Sequence, residues 1–162
     1  MPHTDLPLDP ACDLVLERVI DAPVARVWAA WVDPASLSQW WCPKPYRATD
    51  WALDLEPGGA FAFVVRSPEG EGFPYVGCVL EVEAPHRIVW TTALRAGFRP
   101  NPQTGDVPAF SCVVTFEADG ERTRYRAVAR HANAAGARVH TEMGFHEGWG
   151  AALDQLVSLV TA

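Results

Sequence analysis

Residues 109–131 read AFSCVVTFEADGERTRYRAVARH, two runs of alternating character joined at Asp119-Gly120. Phe110, Cys112, Val114 and Phe116 share one parity of the first run, and Tyr125, Ala127, Ala129 and His131 share one parity of the second. Successive strand residues point to opposite faces, so a period of two marks half-buried strands, and Asp-Gly is a favoured hairpin turn. The other parity of the second run carries Arg122, Arg124, Arg126 and Arg130, which turns that face towards water. An antiparallel pair with one wet face needs something to cover the other.

The same period extends towards the N-terminus. It predicts further strands near 50–55, 60–67, 74–83 and 87–94, besides those at 109–117 and 123–131, with turns at Pro57-Gly58-Gly59, 68–72 and Ala84-Pro85-His86. Alternation puts Phe61, Phe63 and Val65, then Val76, Cys78 and Leu80, then Ile88, Trp90 and Thr92 on the apolar face. Residues 95–108 form a longer loop of the kind that is often functional or mobile.

Helical spacing appears at both flanks. A strand at 14–20 ends at Asp21-Ala22-Pro23, a favourable helix start, and Val24, Val27, Trp28 and Trp31 then follow one helical face. Asp33-Pro34 stops that helix and opens a short second one through Leu37 to Trp41, broken by Cys42-Pro43-Lys44-Pro45. The cover for the sheet is 137–160, which has no proline and shows helical spacing through Phe145, Trp149, Leu153, Leu156 and Val160. As one helix rising 1.5 Å per residue it would exceed 30 Å.

Composition limits the function classes. The 162 residues suit one domain, 14–162, preceded by a flexible tail at 1–13. Thirteen basic against twenty acidic side chains give a net charge of −7, without the clustered cations that bind a phosphate backbone, so nucleic acid is not expected as a partner. No apolar run is long enough to cross a bilayer, so no membrane insertion is expected. The N-terminal residues lack a basic start and apolar centre, which reads as cytoplasmic. Cys12, Cys42, Cys78 and Cys112 lie far apart with no paired spacing, so free thiols are expected and neither a metal nor a cofactor.

The order of a strand, two small helices, a six-strand meander and a long C-terminal helix resembles the α+β helix-grip fold of the START-like (SRPBCC) superfamily. Residues 20–34, then Leu37 and Trp40-Trp41, resemble the opening of the branch named after the activator of a heat-shock chaperone ATPase. So do Pro57-Gly58-Gly59 with Phe61, Gly77 with Leu80-Glu81-Val82, and Gly144-Phe145 with Trp149 and Leu153. The resemblance runs from about 14 to 160. It implies a curved antiparallel sheet wrapped around the C-terminal helix with a cavity between them, and relatives that bind lipids, hormones or polyketides or, in a few cases, catalyse cyclisation.

The expected function is therefore binding of a small, largely apolar molecule that is lipid-like, aromatic or polyketide-like. An enzyme of cyclase or dehydratase type and a chaperone co-factor or stress-response protein are the alternatives. The expected ligand-binding residues are Phe61, Phe63, Cys78, Trp90, Thr92, Phe110, Cys112, Tyr125, His131, Met143, His146 and Trp149, with no catalytic and no metal-binding residue assigned. Glu142 and His146, four apart, can pair on one helical face, and His131, His140 and His146 lack metal-ligand spacing. Gly148 either allows close packing or leaves space above the sheet. Trp40-Trp41 with Cys42-Pro43 either fasten the small helices or form a pocket entrance; exposed tryptophan there would instead mark a homodimer contact.

Overall fold

The computed structural model describes residues 6–102 and 107–162. A seven-stranded antiparallel sheet has the order β1-β9-β8-β5-β4-β3-β2, built from β1 (Asp13–Ile20), β2 (Arg47–Leu53), β3 (Ala60–Arg66), β4 (Gly72–Glu83), β5 (Arg87–Thr91), β8 (Phe110–Asp119) and β9 (Arg122–His131). Inside the long loop a two-stranded hairpin, β6 (Leu94–Arg95) with β7 (Arg99–Pro100), was not expected from the sequence. The β8/β9 register is as its alternation predicts, with Cys112 opposite Ala129 and Phe116 opposite Tyr125. On β1, Leu16 faces the core and Arg18 reaches Asp154 of the last helix at 2.6 Å.

Helix α1 (Val24–Val32) buries Val27, Ala30 and Trp31, the face its spacing marks. Asp33 ends it and caps α2 (Pro34–Trp40): its carboxylate accepts from the Ala35 N–H at 3.2 Å and the Ser36 hydroxyl at 2.9 Å, while Pro34 occupies the first helical turn. These helices carry the packed end of the core. There Leu37 and Trp40 meet Ile20, Leu156 and Val160 in one apolar cluster.

Two expectations are corrected. The segment 137–160 is not one helix but α3 (Ala134–Glu142) followed by α4 (Phe145–Val160), and Gly144 between them has φ of 92°. That left-handed backbone favours glycine and interrupts the helical hydrogen bonds. On β4 the inner face is not Val76, Cys78 and Leu80: Phe61 pairs with Gly77, Phe63 with Tyr75, and Trp90 with Val79, so those three partners share the face of the rings. A register shift between Val79 and Glu81 then brings Val82 opposite Ile88 on the same face.

Residues 9–12, in the segment expected as a tail, form a turn: the Asp13 N–H donates to the Asp9 carbonyl at 2.8 Å, and the Asp9 N–H to the Asp13 carboxylate at 2.9 Å. The Cys12 carbonyl accepts from the His131 N–H at 3.0 Å, fastening that turn to the end of β9. The described strands and helices pack around one apolar core. Among the described residues, no helix is long and apolar enough to cross a membrane.

Candidate functional site

Between the concave face of the sheet and α4 lies a cavity of about 660 Å³. Its sheet wall is aromatic because β3, β5, β8 and β9 each direct alternate residues inward: Phe61, Phe63, Trp90, Phe110 and Tyr125 line it, with Cys112 between. Phe61 stacks on Trp90 at a centroid separation of 4.4 Å, and Trp90 meets Phe110 edge-on at 5.5 Å. Large planar rings held against one another leave gaps that smaller branched side chains would fill. The helix wall is thin. Gly148 borders the cavity, and a Cβ there would meet nothing within 4 Å, while Trp149 and Leu153 flank it.

Of the residues expected at the site, Phe61, Phe63, Trp90, Thr92, Phe110, Cys112, Tyr125, Met143 and Trp149 line this cavity. Three do not. Cys78 is fully buried on the opposite face, paired with Ala60 and Thr91, for the register reason given above. His146 is exposed on α4, and the break at Gly144 separates it from Glu142, so the two do not share a helix. His131 sits one layer behind the wall, with Nε2 2.8 Å from Nδ1 of His140, and it is His140 that reaches the cavity.

Sequence reasoning weighed His140 only as a metal ligand. Its position three residues after the buried Ala137 places it on the inward face of α3, a helical-spacing signal that could have found it. Among the described residues no group of three His, Cys, Asp or Glu side chains is placed to hold a metal ion. The lining has two further parts. Trp41, Cys42 and Pro43 come from the segment after α2, held to α4 by Gln155, whose amide donates to the Trp40 and Cys42 carbonyls at 3.0 and 2.7 Å and accepts from the Lys44 N–H at 2.9 Å. Trp40 both lines the cavity and fastens α2 to α1, its indole N–H donating to the Ala30 carbonyl at 2.9 Å. Asn101 and Pro102 come from the long loop, tied down by the Asn101 amide on the Thr92, Val76 and Leu94 carbonyls.

Polar groups in the wall are few and distinct. The Trp90 indole N–H is buried and has no hydrogen-bond partner among the described residues. Tyr125 accepts from the Trp31 indole at 3.2 Å, and burial raises its pKa, so its phenol stays protonated. Burial also pushes the Cys42 thiol up to about 11 and raises that of Cys112, which leaves both as apolar lining. His140 is lowered to about 4, first by desolvation and second by His131 beside it, so it is neutral near pH 7. The cavity is thus a largely apolar container with the Tyr125 phenol and the His140 imidazole among its lining side chains.

On the outer face of the sheet the arginines are paired: Arg87 with Glu81 at 3.3 Å, Arg126 with Glu17 at 3.0 Å and Arg130 with Asp13 at 3.6 Å.

Comparison with known proteins agrees with this architecture. Residues 21–161 match the family described as activator of Hsp90 ATPase homolog 1-like protein. A crystal structure of a protein from Nitrosomonas europaea is 40% identical, with a TM-score of 0.87 over 95% of this chain and 97% of that one. One from Mycobacterium smegmatis is 31% identical, with a TM-score of 0.79 over 99% and 98%. A solution structure of a protein from Arthrobacter aurescens is 25% identical, with a TM-score of 0.81 over 93% and 87%. None of the curated proteins matches.

Proposed function

The chain belongs to the family of activator of Hsp90 ATPase homolog 1-like proteins, and from that premise we propose that it binds a small, largely apolar molecule between its sheet and α4. The observation that carries the reading is the cavity. Its volume of about 660 Å³ lies within the roughly 300 to 1,000 Å³ usual for small-molecule sites, and such sites combine apolar walls with a few placed polar groups.

Trp41, Trp90 and Trp149 all border the cavity, so binding should be visible in the intrinsic fluorescence. Titration with a panel of apolar dyes, fatty acids and aromatic compounds should give saturable changes, and native mass spectrometry of protein purified from its own host should carry the natural ligand. An absence of saturable response across the panel, with a crystal structure in which side chains fill the space, would overturn the proposal.

An enzyme of cyclase or dehydratase type is the second reading, favoured by one observation: two titratable groups, His140 and Tyr125, face the same cavity. Turnover of a bound compound that is lost in both His140→Phe and Tyr125→Phe, with binding retained, would replace the carrier reading.

A further inference from the structure

The two histidines behind and in the wall have a proton order that their contacts dictate. A carbonyl oxygen accepts and cannot donate, so the 3.0 Å contact between His131 Nδ1 and the Cys12 carbonyl requires the proton on Nδ1. When His131 carries that single proton its Nε2 is an acceptor, and the 2.8 Å contact with His140 Nδ1 then requires the His140 proton on Nδ1. Nε2 of His140 is left with a lone pair and no proton. It has no hydrogen-bond partner among the described residues, and its ring lines the cavity between Phe110, 4.8 Å away between centroids, and Trp149, 5.9 Å away.

A solitary acceptor in an aromatic wall is matched by a ligand that brings its own donor. Charged donors fit badly, since an ammonium group would be stripped of water among Phe110, Phe145 and Trp149. A phenolic hydroxyl fits: it is neutral near pH 7, with a pKa of about 10, and its ring is flat like those around it. We propose that the molecule bound here is a hydroxyl-bearing aromatic compound of the phenol class whose O–H donates to His140 Nε2. His131 and the Cys12 carbonyl act as positioning groups that hold the acceptor tautomer. This inference rests on the cavity being a ligand site and adds which end of it recognises polarity.

The test uses naphthalene, 2-naphthol and 2-methoxynaphthalene, titrated by tryptophan fluorescence against the full chain and its His140→Phe variant. The ether has the same ring and no donor, so the ratio of its Kd to that of 2-naphthol isolates the hydrogen bond once the same ratio in the variant is divided out. One neutral hydrogen bond corresponds to about a three- to tenfold fall in that ratio in His140→Phe, with naphthalene affinity little changed. In the parent, 15N-detected imidazole shifts should show both histidines protonated on Nδ1, and this measurement decides the matter if the variant fails to fold. Binding of all three compounds with the ratio unchanged within twofold, or a proton found on His140 Nε2, would overturn the inference and leave the cavity reading standing. Failure of all three to bind would overturn the phenol assignment, while the cavity reading stands or falls on the wider panel.

Discussion

The two halves of α4 face the same sheet and meet it differently. In the second half Leu156 and Val160, beyond the cavity-lining Leu153, are buried in one cluster with Ile20, Val27 and Leu37. In the first half Gly148 and Trp149 face an opening bounded by Phe110 and Trp90. The difference lies in what comes between. Helices α1 and α2 wedge their apolar faces under the second half, with Trp28 edge-on to Phe116 at 5.4 Å, whereas the first half lies over the cavity lined by Trp90, Phe110, Cys112 and His140. One helix therefore anchors the fold at one end and roofs a cavity at the other, so changes at the two ends should have opposite consequences.

The largest effect is expected at the packed end. Leu156 is fully buried, and Leu156→Ala should cost about 2 to 5 kcal/mol by removing apolar contact and leaving a void, as read by urea denaturation, while affinity for an apolar dye stays within a few-fold. A loss below about 1 kcal/mol would mean that this end is as loosely filled as the other.

A smaller effect belongs to His140. Its pKa is about 4 in the folded chain against an ordinary 6.5, so between those values the unfolded chain binds the proton first and stability falls as pH drops from 6.5 to 4, with no further loss below. Solvent screening of a half-buried ring limits the change to about 1 to 2 kcal/mol. The acidic side chains add their own slope, so the quantity to measure is the difference between parent and His140→Phe. Equal melting temperatures at pH 4.5 relative to pH 7 in both proteins would show that burial of this ring costs nothing.

The smallest effect is at Gly150, which borders open space without lining the cavity. Alanine there should raise stability by up to about 1 kcal/mol through helix propensity and leave dye binding unchanged. Reduced stability would show that the helix surface is crowded at that point.

Most of the fold was legible because its signals are local. The β8/β9 alternation, the Asp33-Pro34 boundary and the α1 spacing each state a periodicity or a stop that the structure repeats. The β4 face was not legible: Tyr75, Val76, Cys78, Val79 and Leu80 are apolar on both parities, and the register shift after Val79 places Val79 and Val82 on one face although their spacing is odd. Nor was the break between α3 and α4, since Gly144, Gly148 and Gly150 look alike in sequence and only Gly144 takes a left-handed backbone. At the candidate site the aromatic wall could be read from alternation. The α3 spacing turns His140 inward and the sequence offers Trp41 as one of two alternatives at an entrance, but no local pattern records that they and Asn101, from separate elements, line one cavity.

The central claim is that the first half of α4 roofs usable space, and Gly148→Leu tests it most directly. With nothing within 4 Å of a Cβ at this position, the added side chain enters the cavity instead of a packed surface. Thermal denaturation and dye titration of the same preparation should show a variant that melts within a few degrees of the parent and has lost most of its dye binding. A variant destabilised by about 1 to 3 kcal/mol, as overpacking of a filled core produces, or one that binds dye as the parent does, would contradict the account.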